Sequence, residues 1–128
     1  MIAVDTSALM AILLDEADAD TCIAALEGED EIVMSAGTLA EALIVSARRG
    51  VAEELAELVE GLGVEVVQLT AASARRVAEA YSRWGKGVHP AALNFGDCFA
   101  YELARERRCP LLFVGADFRT TDVASVLA

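Results

Sequence analysis

At 128 residues the chain makes a single domain, spanning 1–128, long enough to bury roughly two-thirds of its unfolded surface and too short for a second core. Ten Lys and Arg against 21 Asp and Glu give a net charge of −11, which argues against binding nucleic acid or an anionic membrane through a generic basic patch. Hydrophobic residues make up 55% of the chain, yet the longest aliphatic run, Ala8 to Leu14, is far short of the ~20 residues a membrane span needs, so the excess predicts an apolar oligomer interface rather than a membrane segment.

In chain order, Met1 to Asp5 has no basic n-region and no small-residue cleavage site, so a reducing cytoplasm is expected. Ile2 to Val4 reads as a strand ending at Asp5, and Thr6-Ser7 opens an apolar helical pattern through Leu14. Asp18 is placed to cap a second helix that Gly28 stops, Glu31 to Met34 is a β-branched strand, and Ser35 opens the next helix. Leu39, Leu43, Ile44 and Ala47 form the expected inward stripe of that helix, ended by Arg48-Arg49-Gly50. Glu53 to Glu60 predicts a helix, Val64 to Leu69 a strand, and Ala71 to Trp84 a helix with Arg75, Arg76, Glu79 and Arg83 toward solvent. After the Gly85-Lys86-Gly87 break, Asn94 and Asp97 are spaced as a capping box for a helix ending near Arg107-Arg108. Leu111 to Val114 closes the pattern as a fully apolar strand, the kind found at the centre of a parallel sheet. The alternation predicts an α/β three-layer domain with a central, mainly parallel sheet flanked by helices.

Three cysteines, Cys22, Cys98 and Cys109, show no C-x-x-C spacing and have only His89 as an imidazole companion, so neither a disulfide framework nor a zinc site is indicated. The chemistry lies in the acids. Ligand sites in a parallel sheet lie beyond the carboxyl ends of the strands, and two apolar strands here run into Asp5 and Asp117; if they are neighbours, the carboxylates converge. Glu41 and Asp97 interrupt apolar helical stretches and are expected to be partly buried. Each acid alone is as readily a helix cap as a ligand. Together they would repel one another unless they shared a cation, and all-oxygen ligation suits Mg²⁺ or Mn²⁺, whose usual task is hydrolysis at phosphate. Thr6 and Ser7 are placed both to cap the first helix and to hydrogen-bond the carboxylates.

Asp5-Thr6-Ser7-Ala8 after a strand, Glu41 within Leu-Ala-Glu-Ala-Leu, the segment Leu93-Asn94-Phe95-Gly96-Asp97-Cys98-Phe99-Ala100, and Gly115-Ala116-Asp117-Phe118 followed by Thr121-Asp122 resemble a PIN-domain nuclease, in the order and spacing of the VapC-type toxins. The resemblance covers essentially the whole chain. It implies a Mg²⁺- or Mn²⁺-dependent endoribonuclease leaving 5′-phosphate and 3′-hydroxyl ends, a homodimer, and inhibition by a small VapB-type antitoxin. Carried over by position, Asp5, Glu41, Asp97 and Asp117 are the acidic quartet that binds metal and performs catalysis, with Glu41 either a ligand or the group that positions the attacking water. Thr6, Ser7, Asn94 and Asp122 are supporting polar positions. The chain departs from the pattern where basic residues are common, at Val88, Ala92 and Val114, which leaves Lys86, His89, Arg119 and Arg83 as candidates for holding RNA. A basic antitoxin tail would find the same acids, so an Arg or Lys inserted beside the quartet is expected.

Three other readings compete. An aspartyl phosphatase would need a second acid where Ser7 stands. A receiver-like phosphoacceptor would need a Lys after a late strand, whereas the one Lys, Lys86, lies in a loop. An inactive PIN domain that binds RNA or antitoxin without cutting is disfavoured by retention of all four acids and favoured by the missing cations.

Overall fold

The computed structural model describes residues 1–127. Its elements are β1 (Ile2–Val4), α1 (Thr6–Leu13), α2 (Ala19–Glu27), β2 (Ile32–Ser35), α3 (Ala36–Arg48), α4 (Ala52–Gly61), β3 (Glu65–Val67), α5 (Ala71–Trp84), α6 (Phe95–Arg107) and β4 (Leu111–Leu112). The strands form one sheet in the order β3-β2-β1-β4. Every pairing is parallel, with Ala3 opposite both Val33 and Leu111.

Side-chain alternation along each strand divides the interior into two cores, one on each face of the sheet. Ala3, Val33 and Leu111 point toward α5 and α6, where they pack with Val77, Trp84, Tyr101 and Leu103. Ile2, Val4, Ile32, Met34 and Leu112 point the other way, into a core with Leu9, Cys22, Leu26, Ala42 and Leu55. Because β1 and β2 are buried on both faces, they read as continuous apolar runs rather than as alternating ones. The three layers are those the sequence predicts.

Four local expectations change. The inward stripe of α3 is Thr38, Ala42 and Ser46, while Leu43 and Ile44 are 46% and 56% exposed and Ala47 is also exposed. Helix α3 lies close against α6 and α1, so small residues occupy its buried face and the larger ones are turned outward. The strand expected over 64–69 shrinks to Glu65–Val67, since it is an edge strand paired only with β2. The strand expected over 111–114 ends at Leu112 because the Val114 amide donates to Ser7 Oγ at 3.0 Å instead of joining the ladder. Asp18 stands at the start of α2 but makes no side-chain capping bond. The three cysteines are buried free thiols, and no helix among the described residues is long and apolar enough to cross a membrane.

Candidate active site

Since β1 and β4 are parallel neighbours, their carboxyl ends open on the same side of the sheet. Asp5 follows Val4 and caps α1. Its Oδ2 accepts from the Ser7 amide at 3.1 Å and from Ser7 Oγ at 2.7 Å. Through the Val114 amide the same Ser7 hydroxyl ties the end of β4 to the start of α1. Asp5 Oδ1 is buried with no hydrogen-bond partner. Burial pushes the Asp5 carboxyl up to about 6; the Ser7 donations oppose this, and the Glu41 charge adds to it.

Glu41 projects from α3, half-buried. Thr6 Oγ1 donates to its Oε1 at 2.8 Å, so both hydroxyls of the Thr6-Ser7 pair hold carboxylates; the capping role also expected of them falls to Asp5, because the helix already includes Thr6 and Ser7 as its first two residues. The Glu41 carboxylate lies directly over Gly96 of α6, where any Cβ would overlap Oε2 and come within 2.6 Å of Cδ.

Asp97 is the third residue of α6. Asn94 Oδ1 accepts from the Asp97 amide at 2.8 Å and Asp97 Oδ2 accepts from the Asn94 amide at 3.0 Å, a complete capping box. The box fixes the Asp97 rotamer and keeps it at the head of the helix. Asp97 is pushed up to about 7, mainly by burial, and further by the negative charges of Asp5, Asp117 and Glu41. The charges of Asp5, Asp117 and Glu41 thus all reach Asp97, and that of Glu41 reaches Asp5. Asp117 lies on the exposed turn after β4, at the solvent edge of this group.

The donor set can be tested against a divalent cation on two observations. The orphaned, buried Asp5 Oδ1 is an anionic oxygen with no proton donor, which is costly unless a cation faces it. The surrounding groups are carboxylates, hard donors suited to a hard ion. The residues fit. They are not closed up into a ready-made cage, however: among the described residues no three acidic, His or Cys side chains stand together in ligating geometry.

The remaining candidates are dispersed. Asp122 accepts from Tyr101 OH at 2.6 Å, with Arg83 and Arg105 each at 3.7 Å. It lines a groove of about 310 Å³ between α5 and α6, together with Arg76, Trp84 and Glu102. Expected as a supporting polar position, Asp122 is thus held by Tyr101 and two arginines, while the Phe118 ring between it and Asp117 is buried against Phe113. Arg83 stacks on Trp84 at 4.5 Å from the ring centre and faces Asp122, so it belongs to the groove rather than to the acids. His89 Nδ1 accepts from the Ala91 amide at 3.0 Å and its ring meets Trp84 edge-on, a loop-closing role. Lys86 and Arg119 are exposed and unpaired with any carboxylate among the described residues.

Sequence reasoning passes over two residues. Phe95, next to Gly96 and two before Asp97, is 69% exposed, with its ring held edge-on against Phe99 at 4.8 Å; a large aromatic in the first turn of a capped helix was the available signal. Gly96 carries no signal beyond being a glycine inside a helix, a position where glycine is disfavoured.

Residues 2–124 match the model of the PIN domain. The chain is 44% identical over 126 residues to ribonuclease VapC30 of Mycobacterium tuberculosis, covering 96% of each chain. In fold it is similar to the crystal structure of Mycobacterium tuberculosis VapC20, a sarcin-ricin-loop cleaving toxin, with a TM-score of 0.79, 20% identity and 97% of each chain covered. It is also similar to a chain in a toxin-antitoxin complex from Klebsiella pneumoniae, with a TM-score of 0.71 and 13% identity, covering 95% of this chain and 93% of that one.

Proposed function

The chain belongs to the VapC ribonucleases of the PIN-domain family, and on that premise we propose that Asp5, Glu41, Asp97 and Asp117 hold the divalent cation of an RNA-cleaving toxin. The reaction is hydrolysis of RNA phosphodiester bonds. The observation that carries the assignment of the site is Asp5 Oδ1, an unpartnered buried carboxylate oxygen, on a carboxylate within electrostatic reach of Glu41 and Asp97. An all-oxygen donor set favours Mg²⁺ or Mn²⁺. When bound, such an ion polarises a phosphoryl oxygen and lowers the pKa of a coordinated water.

The protein's own groups prepare for that chemistry. Ser7 occupies Asp5 Oδ2 with two donations and so leaves Oδ1 for the cation. Thr6 holds one oxygen of Glu41, and Asn94 holds Asp97 at the helix head. Asp117, at the exposed edge, faces the side from which RNA enters. Asp5 and Asp97 take up protons below about pH 6 and 7 respectively, so cation binding in that range releases protons. With few cations nearby, Lys86 and Arg119 contact phosphates and the exposed face of Phe95 stacks an unpaired base.

A small VapB-type antitoxin is the partner, and a basic side chain reaching the quartet would exclude both cation and RNA. The exposed Leu43 and Ile44 support a homodimer. The deciding experiment is cleavage of total cellular RNA by the antitoxin-free protein with Mg²⁺, Mn²⁺ or chelator, alongside Asp97→Asn. Metal-dependent cutting that Asp97→Asn abolishes is expected; chelator-resistant cutting, or a folded wild type inert with either metal, would overturn the assignment.

A further inference from the structure

Helices α3 and α6 are locked together by two reciprocal contacts at glycines. Phe99 of α6 lies flat on Gly37 of α3, where a Cβ would come within 2.9 Å of ring atom Cδ2 and closer still to Cγ. One helical turn further along α3, the Glu41 carboxylate lies on Gly96 of α6. Each helix thus offers a bare backbone to a side chain of the other, at positions 37 and 41 on α3 and 96 and 99 on α6. In each helix the paired positions lie on one face, so the two contacts fix register as well as distance.

The two contacts differ in what can yield. Phe99 is a rigid ring, half-buried and also braced by Phe95. Glu41 is a flexible chain whose far end, the carboxylate, is the part touching Gly96. A methyl group at position 96 would therefore be accommodated by rotation of Glu41 away from α6, breaking the 2.8 Å bond from Thr6 and leaving the helices in place. A glycine inside a helix one residue from a capping-box acid has a reason to be there if its absent side chain is what lets the carboxylate in.

We propose that Gly96 is a positioning residue for Glu41: its missing side chain, with Thr6 on the other side, confines the Glu41 carboxylate to the space shared with Asp5 and Asp97. The inference rests on the metal-site reading above and extends it to a residue without chemistry of its own. A displacement of about 1 Å in a positioned group is enough to cost roughly 100-fold in rate.

The test compares wild type, Gly96→Ala, Glu41→Gln, Glu41→Ala and the double variant Glu41→Ala/Gly96→Ala by three readouts: thermal melting in chelator, the Mn²⁺-induced rise in melting temperature, and single-turnover RNA cleavage. Gly96→Ala is expected to melt in chelator no lower than wild type, to show a diminished Mn²⁺-induced rise, and to lose about 100-fold in the saturating single-turnover rate constant with the half-saturating concentration little changed. In the Glu41→Ala background the same substitution is expected to leave the Mn²⁺ response unchanged, because the steric partner is gone, and not to lower the melting temperature, because alanine favours the helix over glycine. Glu41→Asp, whose shorter carboxylate leaves room for the methyl group, is expected to lose less in the Gly96→Ala background than in wild type. Wild-type Mn²⁺ response and rate in Gly96→Ala would overturn the inference while leaving the metal-site reading intact. Should Gly96→Ala fail to fold, rescue by Glu41→Ala would support it, and failure of the double variant as well would overturn it by assigning the glycine to the backbone. If Mn²⁺ shifts neither wild type nor Glu41→Gln, the metal-site reading itself falls, and the inference with it.

Discussion

Asp5 and Asp97 are 4% and 7% exposed, and folding changes their proton affinity. Each binds a proton more tightly in the folded protein, at about 6 and 7, than its ordinary value of 3.8. Between those limits the folded state holds more protons than the unfolded one, so stability is full below about pH 4 as far as these two groups are concerned and falls as pH rises toward 7. For Asp5 the loss is on the order of 3 kcal/mol. Metal-free protein is therefore expected to melt at progressively lower temperature from pH 4.5 to 7.5, Asp5→Asn to flatten that dependence, and Mn²⁺ to restore stability at pH 7.5; thermal melts in chelator across that range check all three. Phe95 supports a second prediction at this scale. Base–aromatic stacking contributes about 1–3 kcal/mol, so Phe95→Ala should weaken binding of single-stranded RNA by roughly 5- to 150-fold without altering the Mn²⁺-induced rise in melting temperature. Fluorescence anisotropy with a labelled oligonucleotide under chelator measures it, and unchanged affinity would remove the stacking role.

The first turn of α6 is where stability and site geometry meet. Asn94 satisfies an otherwise free amide and, in return, its own amide holds Asp97. Asn94→Ala is expected to cost about 1–2 kcal/mol in urea unfolding and also to weaken Mn²⁺ binding, whereas a cap with no part in the site would cost stability alone. This element is legible in the sequence because a capping box is a matter of spacing within four residues. The same is true of Asp5 and Ser35, each placed at a strand end with a capping bond to an amide two residues on. Helix α3 is not legible in this way. Its hydropathy points Leu43, Ile44 and Ala47 inward, but close packing against α6 and α1 selects Thr38, Ala42 and Ser46 for the buried face. Periodicity reports which residues are apolar; it does not report how close the neighbouring helix comes.

For the molecule as a whole, the net charge of −11 limits how RNA can be held. If Lys86, Arg119 and one further cation neutralise phosphates, the logarithm of affinity should fall with the logarithm of salt at a slope no steeper than about −2. Binding titrations at several salt concentrations measure this, and a much steeper slope would point to a basic surface contributed by another chain. Light scattering at about twice the 13.5 kDa chain mass is expected from the exposed apolar residues of α3.

Much of this architecture follows from local rules. Strand and helix alternate, helices begin at Asp5, Ser35, Thr70 and Asn94 and acids stand at strand ends, because propensity, capping and turn chemistry operate over three or four residues. Which acids meet is a different matter. Asp5 and Asp117 are brought into one neighbourhood because β1 pairs with β4. Glu41 lies on the turn of α6 that carries Asp97 because two glycines let α3 and α6 close on each other, and Asp122, five residues after Asp117, is held by Tyr101 and two arginines. Those outcomes depend on strand order and on contacts between residues far apart in the chain, where the packing of one face against another, rather than any short-range preference, has the lower free energy.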